Sequence, residues 1–516
     1  MPSQFFKPMS NVISRPNFSN NPYDLLIIGG GINGAAIANI ASSQGLSVAL
    51  IEKKDFASGT SSKSTKLMHG GLRYLENFEF DLVRESLQER TIQLHKAPHL
   101  VKPLKFILPV YKSDRRPFWM IKLGIAVYDI LSGKSLIKRR ESLGVSDLLT
   151  EIPGIKKEGL VGGVSYYDAQ MDDTRLCLEN ILMAKSRGAH VANYVEAQEF
   201  LKENQKIVGV KAWDVTEKRF LEIRAKRIVC ALGPWTNEFF KKSVRADAFK
   251  VRTTKGVHIV YRGKFSNDAV IFPTVQDKRV LFVIPFPFPC RGMGKGNSLI
   301  GTTDTDFSGN PDDVKVEKED IDYLFKELNR VFPDHSFRRE NILTSFAGLR
   351  PLAHREGHSF DVSRKHVIEE TSDGIIYVIG GKYTTYRKIA EDAVSQILKK
   401  KIRNAKKCFE VYGSGSILEN SQTITREYDV SPAVVVFLMD FYGTRYKDVL
   451  EFVRKDHSLK EPLCSCSPII RAQVRYAIDV EMAKTAEDII FRRLGLAYLD
   501  CPTKDCEKRV KEFFAV

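Results

Sequence analysis

Residues 25–52 constrain this 516-residue chain more than any other stretch. Leu25-Leu26-Ile27-Ile28 is a short apolar run, as in a buried parallel strand, and it ends in Gly29-Gly30-Gly31. Ala35, Ala36, Ile37, Ile40 and Ala41 then predict a helix with a small apolar packing face. Gly45 ends it, and Val48 to Ile51 reads as a second strand. Gly29 to Gly34 fits G-x-G-x-x-G at the strand-to-helix turn, where exposed N–H groups and the helix dipole favour a pyrophosphate. Glu52, eighteen residues after Gly34, ends the second strand and is placed to accept ribose hydroxyls. An acidic residue there favours a free 2′-hydroxyl, hence FAD or NAD over NADP. Three glycines in an ordinary turn would not bring this strand, helix and acid with them.

Two later runs have the same buried-strand character and are expected to join that sheet: Arg227 to Leu232 before Gly233-Pro234, and Ile375 to Ile379 before Gly380-Gly381. Between them, Ala269 to Thr274, Val280 to Pro285 and Ser298 to Thr303 alternate with turn residues, which predicts antiparallel strands in an inserted domain. After a basic hinge at 399–407, the chain from about residue 415 reads as helical, with apolar residues at helical spacing from Ile469 to Leu494. The expected class is α/β. A doubly wound nucleotide-binding domain spans 22–105, 160–250 and 340–403, and an antiparallel substrate-capping domain spans 106–159 and 251–339. A helical C-terminal domain covers 415–516, and the polar stretch 1–21 is expected to be a disordered leader.

With 79 Lys and Arg against 63 Asp and Glu, the net charge of +16 favours an anionic partner: a phosphorylated small molecule, an acidic membrane or nucleic acid. Neither a stacking-aromatic motif nor a recognition helix accompanies the charge, so nucleic acid is set aside. Every apolar run falls short of the ~18 residues of a spanning helix, so membrane contact is expected to be peripheral. Arg115 to Met120, the apolar run Ile121 to Leu131, and then Lys134 and Lys138-Arg139-Arg140 read either as a surface for an anionic bilayer or as a core helix with a solvated basic end. Eight scattered cysteines predict free thiols in a reducing cytoplasm. Cys464, Cys466, Cys501 and Cys506 offer four thiols, but their C-x-C and C-x4-C spacings differ from C-x2-C knuckles, so no metal is expected.

Three further segments bear on chemistry. Thr60, Ser61, Ser62, Ser64, Thr65 and Lys66 form a hydroxyl-rich run with a cation, suited to a phosphate-bearing groove and equally to a solvated loop. His69-Gly70-Gly71-Leu72-Arg73-Tyr74 joins an imidazole, close-approach glycines, a guanidinium and a phenol, a grouping that suits an anionic substrate. A satisfied structural histidine and a surface ion pair are the plain alternatives there. Gly348-Leu349-Arg350-Pro351 and Gly380 to Arg387 place cations and glycine-rich backbone near a strand end and a second helix start.

In order, the first strand with Gly29 to Gly34, the Thr60 to Lys66 run, HGGLRYLE at 69–76, ALGPW at 231–235, KGVHIV at 255–260, GLRPL at 348–352 and GGKYTTYRK at 380–388 resemble the FAD-dependent glycerol-3-phosphate dehydrogenase family. The resemblance runs from about Tyr23 to Lys400. It implies a flavoenzyme with tightly bound FAD that oxidises sn-glycerol 3-phosphate to dihydroxyacetone phosphate and passes electrons to a membrane quinone. Such an enzyme sits in the cytoplasm, peripherally on the inner face of the cell membrane, with a homodimer as a possible assembly.

By the same resemblance, Gly29, Gly31, Asn33, Gly34 and Glu52 hold adenosine and pyrophosphate, and Thr60, Ser61, Ser62 and Lys66 line the path to the flavin. Gly70, Ala231, Gly233, Gly348, Gly381, Lys382 and Thr384 complete the cofactor set. Hydride loss from carbon 2 with loss of the hydroxyl proton needs a base and a cationic clamp. His69 and His258 are the base candidates. Arg350 and Lys382 suit a developing alkoxide, and Arg73 with Tyr74 suits the phosphate. Two alternatives stay open: an oxidase that uses oxygen, and a flavin-binding protein without catalysis. The joint presence of His69, Arg73, His258, Arg350 and Lys382 speaks against the second.

Overall fold

Strand β1 (Leu25–Ile28) is buried along its whole length and runs parallel to β2 (Val48–Glu52) on one side and to Ile228–Cys230 on the other. Helix α1 (Ile32–Ser43) makes the crossover between β1 and β2. The sheet has six strands, ordered His366–Glu370, Ile375–Gly380, Ile228–Cys230, β1, β2, His190–Asn193, and only the first pairs antiparallel to its neighbour. Its strands read as continuous apolar runs because both faces are covered. On one face α1 packs with helices Asp173–Ser186 and Tyr386–Ile397 through Ala35, Ile181 and Ile389. The other face carries an antiparallel meander, Val195–Glu203, Lys206–Asp214 and Arg219–Arg224, joined through Leu26, Ala212 and Ile223. The computed structural model describes residues 16, 18, 21–204, 206–242, 250–275, 277, 279–286, 296–354, 366–402 and 405–515. The leader expected over 1–21 lies almost wholly outside the described residues.

A second sheet of ten strands stands beside the first. Ala269–Pro273, Val280–Phe286 and Asn297–Gly301 are successive antiparallel neighbours in it. Val101–Tyr111 pairs with Leu160–Met171, and Lys250–Arg262 pairs with Ile342–His354. The domain boundary drawn at 105/106 therefore falls inside a strand. Pro103 and Pro109 interrupt the alternation that would mark Val101–Tyr111 as one, since proline cannot donate to a ladder.

The C-terminal helices, among them Pro432–Tyr442, Tyr446–Lys455 and Arg471–Asp479, surround their own apolar core. Ile469 to Leu494 is not one helix: the chain turns at Met482, in left-handed conformation, before the π-helical turn Asp488–Arg493. This unit docks on the nucleotide-binding domain through buried charge. Asp55 accepts from Arg493 Nη1 and Nη2 at 2.7 and 2.8 Å and from Arg492 Nε at 2.6 Å, and Arg175 pairs with Glu481 at 2.5 Å.

Candidate active site and cofactor groove

The β1–α1 turn opens onto a cavity of about 1880 Å3 that runs between the two sheets. A Cβ at Gly34 would lie 1.9 Å from the Gly29 carbonyl oxygen, so only glycine lets the helix start this close to the strand. Glu52 Oε2 accepts from the Gly30 N–H at 2.7 Å and Oε1 from the Lys54 N–H at 2.9 Å, which orients the carboxyl at the end of β2. Ser61 Oγ accepts from the Ile32 N–H at 2.9 Å at the opening of α1. Thr60 Oγ1 donates to the Leu349 carbonyl at 2.7 Å and ties the hydroxyl-rich run to the second sheet.

Elsewhere on the cavity wall, paired strands of the second sheet bring the Arg350 cation near the imidazole of His258, and Lys382 follows a strand of the first sheet. His258 is buried, stacks on Phe346 with ring centroids 5.1 Å apart, and has Nε2 3.0 Å from Thr65 Oγ1. Arg350, on the strand paired with that of His258, donates to Asp304 Oδ1 and Thr302 Oγ1, both at 2.9 Å, and to the Thr303 carbonyl at 3.3 Å. A Cβ at Gly256 would lie 2.4 Å from Arg350 Nη2, so this glycine makes room for the guanidinium. Lys382 Nζ sits 3.5 Å from the centre of the Tyr74 ring and 3.3 Å from Ser86 Oγ. Thr384 Oγ1 bridges the His69 N–H and carbonyl, both at 3.3 Å, which joins the 69–71 loop to the start of the Tyr386 helix. That loop is held from beneath: the Gly70 N–H donates to Tyr128 Oη at 2.9 Å, and Asp168 accepts from Tyr128 and from Arg90.

The cavity wall thus brings together Gly29, Gly31, Asn33, Glu52, Thr60, Ser61, His69, Tyr74, Ala231, Gly233, His258, Gly348, Arg350, Gly381, Lys382 and Thr384. Gly34 lies under the turn, and Gly70 faces Tyr128 and Leu87. Ser62 and Lys66 lie off the wall. Both are buried, and Lys66 is in a 2.5 Å ion pair with Asp173, so its charge is spent inside the protein. Arg73 belongs to the short helix Leu72–Asn77, and its side chain lies outside the described residues. Sequence reasoning missed Asp304 and Thr302, which aim Arg350, and the Arg90–Asp168–Tyr128 group, whose members are too far apart in the chain to give a signal. It also passed over Lys63, a cavity residue whose ammonium burial and neighbouring Lys66 push down to about 8. The sulfurs of Cys464, Cys466, Cys501 and Cys506 lie within 4.8 Å of one another.

Burial first, then the charges of Arg350 and Lys66, push the His258 imidazole down from 6.5 to about 3. Released on unfolding, the ring titrates near its ordinary value, so between those two pH values the unfolded state holds a proton that the native state does not. The corresponding stability is intact above pH 6.5 and is lost as pH falls, by about 1.4 kcal/mol per pH unit within the window. His258→Asn is expected to flatten the acid limb of the unfolding free energy by that slope. Limbs that run parallel for variant and parent would contradict this environment for the ring.

A glycine turn at a helix N-terminus, an acid at the end of the second strand and a charged cavity beneath a second sheet define a nucleotide-binding oxidoreductase. The FAD dependent oxidoreductase family matches residues 24–387, and the C-terminal domain of alpha-glycerophosphate oxidase matches residues 406–515. The glycerol-3-phosphate dehydrogenase of Synechocystis sp. is 38% identical over 93% of this chain and 90% of its own length. The aerobic glycerol-3-phosphate dehydrogenase of Staphylococcus aureus is 34% identical over 94% and 89%. The crystal structure of glycerol-3-phosphate dehydrogenase from Bacillus halodurans complexed with FAD superposes with a TM-score of 0.74 at 29% identity, covering 96% of this chain and 90% of that one. The chain belongs to the FAD-dependent glycerol-3-phosphate dehydrogenase family.

The residues present fit FAD. The turn opens onto the cavity through Gly29, Gly31 and Asn33 at the start of α1, where a pyrophosphate is bound in such folds, and Glu52, also on the cavity wall, ends β2 where a ribose is read. Two cavity-lining residues, Trp235 and His258, carry buried polar atoms, Nε1 and Nδ1, without a partner among the described residues.

Proposed function

We propose that this chain oxidises sn-glycerol 3-phosphate to dihydroxyacetone phosphate and delivers the electrons to a membrane quinone. The observation that carries the reading is that His258, Arg350 and Lys382 all line the cavity that the glycine turn opens, and burial and the nearby Arg350 charge favour the neutral form of His258. Carbon 2 of the substrate gives up a hydride, for which bound FAD supplies the acceptor, and its hydroxyl gives up a proton that the chain must take. His258 is in the form that accepts it. Its Nδ1 is sealed from solvent, so Nε2, beside Thr65 Oγ1, is the atom assigned to the proton. A phosphate-bearing substrate offsets the repulsion from Arg350 and raises the basicity of the ring on binding. His69 is the second base candidate on the same wall.

Arg350 presents a fork that Asp304 and Thr302 hold in one orientation, suited to stabilising the alkoxide as the proton leaves. Lys382 adds a second cation. Arg73 and Tyr74 are assigned to the phosphate, and Gly29, Gly31, Asn33, Gly34, Glu52, Thr60, Ser61, Ala231, Gly233, Gly348, Gly381 and Thr384 to the cofactor.

The acceptor reading rests on the rim of the cavity. Helix Phe118–Ser132 exposes Trp119, Met120, Leu123 and Ile130, and Phe78, Phe80 and Val275 are also exposed. Met120, Leu123, Phe78, Phe80 and Val275 line the cavity itself, and Arg115, Lys122 and Lys134 are exposed beside them. An apolar rim with basic flanks supports peripheral attachment to an anionic bilayer, from the cytoplasmic side. Among the described residues no helix is long and apolar enough to cross a membrane.

Quinone-linked turnover with anionic, neutral and no vesicles tests both parts. Glycerol 3-phosphate, and not glycerol, is expected to support turnover, with anionic vesicles raising it. Trp119→Glu with Ile130→Glu is expected to lower vesicle binding at least about tenfold while dye-linked turnover in solution is kept. Failure of glycerol 3-phosphate with every acceptor would overturn the substrate, and indifference to vesicles would remove the membrane contact.

A further inference from the structure

The C-terminal unit carries a cluster that the oxidation of glycerol 3-phosphate does not use. Cys464 and Cys466 sit in a tight loop closed by the Leu463 N–H to Ile469 carbonyl bond at 2.7 Å and by a bridge between Pro462 and Ile470. Cys501 and Cys506 come from the segment that leads into the last helix, Asp505–Glu512. The two segments meet sulfur to sulfur: Cys466 Sγ lies 2.7 Å from Cys464 Sγ and 3.0 Å from Cys506 Sγ, and all four sulfurs lie within 4.8 Å of one another. We propose that Cys464, Cys466, Cys501 and Cys506 form a structural zinc site with four thiolate ligands.

Three features favour one metal ion over the rival arrangement, a disulfide between Cys464 and Cys506, whose sulfurs are in contact. The first is number. A disulfide uses two sulfurs and leaves Cys466 and Cys501 crowded against it for no gain, whereas a tetrahedral ion with Zn–S of about 2.3 Å takes four at S···S edges of roughly 3.8 Å. An iron–sulfur cluster holds its thiolates further apart than this set stands.

The second is the hydrogen bonding around the sulfurs. The Cys466 N–H points at Cys464 Sγ from 3.4 Å. Backbone N–H groups of Cys506 and Asp505, and the Thr503 hydroxyl, hydrogen-bond to Cys501. Donors aimed at sulfur stabilise thiolate and orient a ligand. The third is need. Helix Asp505–Glu512 is eight residues long and buries only Cys506 and Val510, too little to fix it by packing. Binding exchanges four thiol protons for one Zn2+, so the site's free energy is folding free energy for this segment.

The segment held in this way reaches the catalytic domain. Tyr498, three residues before Cys501, packs on Phe346 with centroids 6.4 Å apart, and Phe346 stacks on His258. Asp500 accepts from Arg262 Nε at 3.0 Å on the strand that carries His258. The metal therefore fixes the register of the docking surface behind the imidazole.

Elemental analysis of full-length holoprotein purified under reducing conditions without chelator tests the assignment, with thiol titration of the denatured chain alongside. About one zinc per chain is expected. Cys501→Ser is expected to lower zinc content at least about tenfold and to lower the melting temperature, while Cys408→Ser, at an exposed cysteine elsewhere, leaves both unchanged. A Cys464–Cys506 disulfide predicts the reverse: two thiols missing from the titration, no zinc, and indifference to Cys501→Ser. Where Cys501→Ser fails to fold, Co2+ exchange into the parent protein gives the second readout, the visible absorption of a tetrahedral cobalt thiolate. Absence of that absorption, all eight thiols titratable without zinc, or stoichiometric iron in place of zinc would each overturn the proposal.

Discussion

Replacing Arg350 with methionine is expected to lower kcat/KM for glycerol 3-phosphate by about 10^2- to 10^3-fold, the cost of one donor aimed at a developing oxyanion. The expectation rests on how the side chain is held. Asp304 and Thr302 fix the two ends of the guanidinium at 2.9 Å, so no reorganisation is needed when charge appears on the substrate oxygen. Methionine keeps the bulk and removes the donors. Because the alkoxide exists only on the way to product, the loss should fall mainly on kcat, with flavin content unchanged. A rise in KM alone would assign Arg350 to substrate binding, and unchanged kinetics would remove it from the site. Asp304→Asn is a milder form of the same test, since it leaves the cation but relaxes its aim.

The second large effect is on stability. Asp55→Asn is expected to destabilise the protein by about 3–5 kcal/mol, read from denaturant midpoints, because it leaves Arg493 and Arg492 without their shared carboxylate. Arg493 is fully buried and has no route to water. Native domains hold only about 5–15 kcal/mol in reserve, so a loss of this size is expected to separate the unfolding of the C-terminal unit from that of the rest. A midpoint within experimental error of the parent would show that the docking of the two units does not depend on this network.

The residues legible in the sequence were those whose role is local. The run from Leu25 to Glu52 carries its own strand, turn, helix and acid, and Ile228–Cys230 and Ile375–Gly380 announce themselves as buried strands because both faces of their sheet are covered. Lys66 shows the limit. In the chain it is a cation in a run of hydroxyls, and nothing nearby tells that Asp173 waits for it inside the protein. Asp304 and the Arg90–Asp168–Tyr128 group were invisible for the same reason, since their partners are brought together only by strand pairing. The four C-terminal cysteines lack knuckle spacing in the chain. Spacing describes a knuckle within one segment, whereas here the ligand set is completed across two segments that meet only in the folded unit.

The most direct measurement is anaerobic visible spectroscopy of the purified holoprotein, with glycerol 3-phosphate added to one sample and glycerol to another. Bleaching of the flavin band by the phosphate ester alone, with dihydroxyacetone phosphate formed in equal amount, is the predicted result. A bound flavin that neither compound bleaches, or that both bleach alike, would contradict the assignment of this cavity to glycerol 3-phosphate.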